Sequence, residues 1–201
     1  MIRLDKELLE KALSDLGRRL EDMDQGPHHI VVCGGSALIA MGLVPRTTKD
    51  VDVVALIDSQ GNLATPDPLP QELLQAVRDV ATTHKLDDWW LNNGPSRGEG
   101  GLFRLGLPDG FLTRLTRRDY GPRLAVSYIG RLDQIHFKVY AAADRAGYHV
   151  DDLAMSPPRT SWTIGGSTPA RAATHDVSEG FRLIVKSMLR QLGYDAAAAN
   201  I

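Results

Sequence analysis

Val31-Val32-Cys33-Gly34-Gly35-Ser36, followed by Thr48-Lys49-Asp50-Val51-Asp52-Val53-Val54, decides how the chain reads. An apolar strand runs into a Gly-Gly-Ser turn. Fourteen residues after Ser36, two aspartates begin to alternate with valines. Residues i and i+2 of a strand share a face. Asp50 and Asp52 are therefore expected side by side, with Val51 and Val53 turned into a core. Two carboxylates that close repel unless a cation sits between them. Hard oxygen ligands suit a divalent metal, Mg²⁺ first and Mn²⁺ as the alternative. A Gly-Gly-Ser turn opening a helix offers backbone N–H groups and a hydroxyl to phosphate. Together the two features imply a metal-dependent site for a nucleoside triphosphate. The plainer alternatives are a strand–helix turn and a pair of exposed strand carboxylates.

Working outward, Leu4 to Met23 has the spacing of an amphipathic helix, with Leu4, Leu8, Ala12, Leu16 and Leu20 on one face. Asp24-Gln25-Gly26-Pro27 ends it. His29 to Cys33 is the first strand, and Ser36 to Met41 a short helix with Ser36 as a possible N-cap. Asp50 to Ile57 is the second strand, which places the site at one edge of an α/β sheet. Asp58 to Pro70 is expected to be loop and Gln71 to His84 a helix, with Leu73, Leu74, Val77 and Val80 apolar. Asp87 to Pro95 is less regular. Phe103–Leu107 and Arg114–Thr116 read as short strands or turns, and Arg123–Ile129 as a strand. Leu132–Arg145 and Val177–Leu192 have helical spacing, and Val150–Met155 reads as a short helix. The prolines and Gly-Gly of Ser156–Pro169 read as a linker.

Gly34-Gly35-Ser36 followed by Asp50-Val51-Asp52 resembles the signature of the nucleotidyltransferase fold, the DNA polymerase β-like superfamily. Phe137-Lys138-Val139-Tyr140-Ala141, leading to Asp151-Asp152-Leu153, narrows the likeness. That order resembles minimal nucleotidyltransferases related to AbiEii-type toxins of type IV toxin–antitoxin systems, and their uncharacterised bacterial relatives. The resemblance implies an α/β (α+β) fold, a mixed sheet flanked by helices over residues 1–155. A linker and C-terminal helical appendage would occupy residues 156–201. It implies transfer of a nucleoside monophosphate from an NTP to RNA (tRNA included) or to protein, and an antitoxin as a possible partner. Asp50 and Asp52 would bind metal; Gly34, Gly35, Ser36 and Lys138 would bind the nucleotide.

Lys138 lies in an otherwise apolar helical stretch, where it either meets an anion or snorkels. The expected strand Arg123–Ile129 carries no acid, so a third carboxylate must come from elsewhere. The family pattern resembles Lys-Asp-x-x-Asp, while this chain reads His149-Val150-Asp151-Asp152-Leu153. Asp152 is the first candidate and Asp151 the second, with His149 in the place of the other aspartate. That departure keeps a second reading open: a catalytically impaired nucleotide-binding or partner-binding protein on the same fold.

Composition excludes other classes. No apolar run approaches the roughly 18 residues of a membrane span, and the first residues lack a signal-peptide core. The single cysteine, Cys33, cannot form an internal disulfide. These features point to the cytoplasm. There is no Walker A lysine motif and no zinc-ligand spacing. Net charge is −2, yet six arginines (Arg104, Arg114, Arg117, Arg118, Arg123, Arg131) crowd one stretch, as a phosphate-binding stripe or a balanced surface. Arg46 and Lys49 flank the second strand and could assist phosphates. Trp89 and Trp90 could stack a base or fill a core.

Overall fold

The computed structural model describes residues 2–130, 133–134, 136–137, 186–187, 190, 195 and 199. The chain divides into two compact units, Met1–Leu105 with Leu112–Gly130, and Gly106–Phe111 with Arg131–Ile201. The first unit is a mixed α/β structure, a mostly antiparallel sheet flanked by helices. In the second, the rings of Phe111 and Phe137 lie 6.1 Å apart. Residues 133–134 and 136–137, within the helix expected at 132–145, and 186–187 and 190, within the helix expected at 177–192, are helical; the expected boundary at 155/156, the short helix expected at 150–155 and the linker lie outside the described residues. No helix among the described residues is long and apolar enough to cross a membrane.

Helix α1 (Lys6–Asp22) begins where Asp5 accepts the Leu8 N–H at 2.9 Å. Its buried face is Leu9, Ala12, Leu13, Leu16 and Leu20, not one centred on Leu4 and Leu8. Leu8 is half-buried, and Leu4 stands before the helix, bridged to Thr48. Strand β1 (His28–Cys33) leads into α2 (Gly34–Ala40). Strand β2 (Val51–Ile57) begins one residue later than its pattern suggests. The expected loop contains β3 (Leu63–Ala64), and α3 spans Gln71–His84. The irregular stretch after it holds β4 (Leu91–Asn92) and a 3₁₀ turn, Gly94–Ser96. Of the segments expected as strand or turn, Phe103 to Leu105 fall in the short helix α4 (Leu102–Leu105), and Arg114 ends a 3₁₀ turn, Phe111–Arg114. Strands β5 (Thr116–Asp119) and β6 (Leu124–Tyr128) complete the sheet.

The order is β3-β2-β1-β6-β5, with β4 also on β2. Strand β1 pairs antiparallel with β2 and parallel with β6. Strand β2 is therefore not an edge: β1 takes one side, and β3 and β4 divide the other. Val32 pairs with Val53 but Val31 with Ala55, so Val54 is an extra residue, a β-bulge. The fully buried Ser96 hydroxyl donates to the Val54 carbonyl at 2.7 Å, which satisfies an acceptor that the bulge turns away.

Val32 and Val53 face a core shared with α1 and α3, including Leu13, Leu73, Val77 and Trp90. Trp90 is fully buried and its Nε1–H donates to the Val77 carbonyl at 3.0 Å. Arg19 to Asp79 and His84 to Asp15, each at 2.7 Å, fasten the rim between α1 and α3. Residues adjacent along a strand face opposite ways. Cys33 and its partner Asp52 therefore lie on the sheet face away from this core.

Candidate functional site

The site is built where β1 ends. Gly34 has φ +72°, a left-handed conformation that side chains disfavour. A Cβ there would come within 2.8 Å of the Asp52 Oδ2, so the carboxylate lies directly against the turn. A Cβ on Gly35 would meet Thr48 Oγ1 at 2.9 Å and Arg46 Nη2 at 3.5 Å. The Arg46 guanidinium thus reaches the same turn. The approach to β2 is anchored at Thr48, which exchanges backbone hydrogen bonds of 2.8 and 2.9 Å with Leu4 and donates from its hydroxyl to the Asp50 carbonyl at 3.3 Å.

Ser36 occupies a different place from the expected N-cap. The helix starts at Gly34, its N-cap is Cys33, and no side chain caps it. Ser36 is fully buried in the first turn, and its hydroxyl donates back to the Cys33 carbonyl at 3.3 Å. Gly34, at φ +72°, turns the chain out of β1 so that the helix begins ahead of Ser36.

Asp50 immediately precedes β2 and is half-buried. Burial pushes its carboxyl above the usual range, Lys49 and a backbone hydrogen bond oppose the rise, and Asp87 adds to it. Asp87 had no part in the sequence reading. It reaches this neighbourhood because the stretch before β4 runs beside the start of β2. The Val51 N–H donates to the Trp90 carbonyl at 2.6 Å, and Asn92 is the register partner of Asp52. A strand of two residues carries no periodicity by which sequence could have found it. The one available signal was the Asp87-Asp88-Trp89-Trp90 run itself.

Gly34, Gly35, Ser36 and Asp52 are thus gathered at one turn, with Asp50 entering the same strand. Lys138, His149, Asp151 and Asp152 lie outside the described residues. Among the described residues no group of three or more His, Cys, Asp or Glu is arranged to hold a metal ion. The arginine stretch is balanced at four positions: Arg104 pairs with Glu99, Arg117 with Asp119, Arg118 with Glu10 and Arg123 with Asp24. Trp90 is core, whereas Trp89 is 59% exposed. No protein-family model, curated protein or solved structure matches the chain.

Proposed function

We propose that this chain is a Mg²⁺-dependent nucleotidyltransferase that moves a nucleoside monophosphate from an NTP to a hydroxyl of RNA, tRNA included, or of protein, releasing pyrophosphate. One observation carries the reading: the Asp52 carboxylate lies 2.8 Å from where a Gly34 Cβ would stand. An acid of β2 and a turn free of side chains are thereby held together by the Cys33–Asp52 pairing. The donor chemistry fits the ion. Asp50 and Asp52 offer hard oxygens, and a cation would offset the cost that burial places on Asp50. When bound, Mg²⁺ would neutralise phosphate charge and promote loss of the attacking hydroxyl's proton.

The chain's own residues do the rest. Gly34 and Gly35 let a phosphate approach the backbone, and Arg46, beside Gly35, supplies positive charge. Ser36 holds the turn from within through Cys33. Lys138 on the triphosphate and Asp152 as third carboxylate, with Asp151 or His149 as alternatives, follow from the resemblance. So do the type IV toxin role and an antitoxin partner.

The test is incubation with each α-phosphate-labelled NTP, Mg²⁺ or Mn²⁺ and total bacterial RNA, beside Asp50→Ala/Asp52→Ala. Label entering RNA or protein and vanishing in the double variant is expected. Absence of metal-dependent NTP binding would overturn the reading. A nucleotide-binding protein without turnover is the alternative, favoured by His149 standing where the resemblance expects an aspartate and by the absence of an acid from Arg123–Ile129. NTP binding that survives the double substitution, with no label transferred, would select it.

A further inference from the structure

Beside the acid end of β2 stands an aromatic–cationic pair that the fold does not use. Trp89 is 59% exposed, so folding gains little from its indole. Its neighbour Trp90 is fully buried. The turn around Trp89 is pinned on both sides. The Trp89 N–H donates to Asp87 Oδ1 at 2.9 Å, and its carbonyl accepts from Asn92 Nδ2 at 3.2 Å. The Arg97 Cζ lies 6.0 Å from the centre of the indole. The backbone next to Arg97 is anchored: the Gly98 N–H donates to Asp67 Oδ2 at 3.0 Å, and Asp67 Oδ1 accepts from Asn93. Arg104, Arg117, Arg118 and Arg123 each face a carboxylate, but Arg97 pairs with no acid among the described residues. The same short stretch supplies Asp87, whose charge acts on Asp50, and Asn92, the partner of Asp52.

We infer that Trp89 and Arg97 form a nucleotide seat, with an unpaired nucleobase stacked on the indole and a phosphate met by the guanidinium. A preset flat ring costs little ordering entropy on binding, and stacking tolerates any base. An unneutralised guanidinium beside the ring adds the charge that a phosphate requires. The base can come from the incoming NTP or from the end of an acceptor RNA. That placement rests on the proposed transferase reading; the seat itself does not.

The experiment measures binding of two probes, a short labelled single-stranded RNA in EDTA and each Mg²⁺·NTP, to wild type, Trp89→Ala, Trp89→Phe, Arg97→Gln and Asp50→Ala/Asp52→Ala. Trp89→Ala should weaken at least one probe about tenfold, Trp89→Phe should recover part of that loss, and Arg97→Gln should weaken the same probe. Loss confined to RNA assigns the seat to the acceptor, and loss confined to Mg²⁺·NTP assigns it to the incoming nucleotide. Both uphold it. Unchanged affinity of Trp89→Ala for both probes, with circular dichroism confirming the fold, overturns it. The double aspartate variant separates the two ideas. If it binds Mg²⁺·NTP as wild type does while Trp89→Ala still weakens a probe, the transferase reading fails and the seat stands.

Discussion

Two polar clusters lie on the sheet, and they solve the problem of buried charge in opposite ways. In the first, Arg118 donates to Glu10 Oε1 at 2.6 Å and to the Ala40 carbonyl at 2.8 Å. The Tyr120 hydroxyl donates to Glu10 Oε2 and shares a hydrogen bond with the Tyr128 hydroxyl, both at 2.8 Å. The guanidinium also lies 5.4 Å over the Tyr128 ring. Opposite charges meet, and the group ties α1, the end of α2, β5 and β6 together. In the second cluster, Asp50 is half-buried and Asp87 presses its carboxyl further upward against Lys49. Burial is the main cost there, and Lys49 offsets only part of it. A cluster that satisfies itself serves the fold; one whose electrostatics oppose burial is suited to receive a cation.

The largest effect should come from breaking the first cluster. Arg118→Met leaves Glu10 facing two phenols and uncaps the Ala40 carbonyl, and should cost about 2 kcal/mol in urea unfolding. A loss below about 0.5 kcal/mol would remove the contrast. The same cluster sets an alkaline limit. Burial, first of all, pushes Tyr120 up to about 12 and Tyr128 upward as well. Unfolded phenols ionise near pH 10 while the folded ones stay protonated. Stability is therefore full below about pH 10 and declines as pH rises, by about 1.4 kcal/mol per pH unit for each phenol. Tyr120→Phe should flatten the decline.

Gly34→Ala tests the second cluster sterically. It sets a side chain at φ +72° and 2.8 Å from Asp52 Oδ2, and should cost about 1–2 kcal/mol and weaken NTP binding. A smaller effect of opposite sign is expected at Asp50. Its folded-state carboxyl titrates above the unfolded one, so the ionised form disfavours folding, a cost relieved as pH falls. Asp50→Asn should raise the melting temperature in EDTA near pH 7, and the gain should shrink toward acid. The variant should also lose any rise that Mg²⁺ gives wild type. If Asp50→Asn is less stable in EDTA, the two clusters do not differ as argued. Smallest of all, Trp89→Ala should change stability by no more than about 0.5 kcal/mol, because the indole is largely in water.

Long periodic elements were legible from residues alone. Helix α3 runs from Gln71 to His84 as its spacing predicts, because a continuous apolar stripe and local backbone bonding specify it together. Helix α1 was found with its face displaced, since Leu4 serves in a bridge to Thr48 rather than in the helix. The short strands were not legible. Strands β3 and β4 hold two residues each and exist only because β2 has an open side for them. Ser36 lies within the first turn of α2 rather than at its cap, because the chain leaves β1 at Gly34 and the cap position falls on Cys33.

By itself, the sequence determined the alternation that buries Val51 and Val53, the glycine pair after β1, and the acids of β2 that follow it. Those depend on neighbours within a few residues, where backbone geometry dictates which way each side chain points. Only the tertiary structure decided that Asp52 rests on Gly34, that Asp87 acts on Asp50, and that Trp89 is exposed while Trp90 is core. Each of these depends on which strands pair and in what register, and pairing is settled by the burial of the whole sheet rather than by any short stretch of chain.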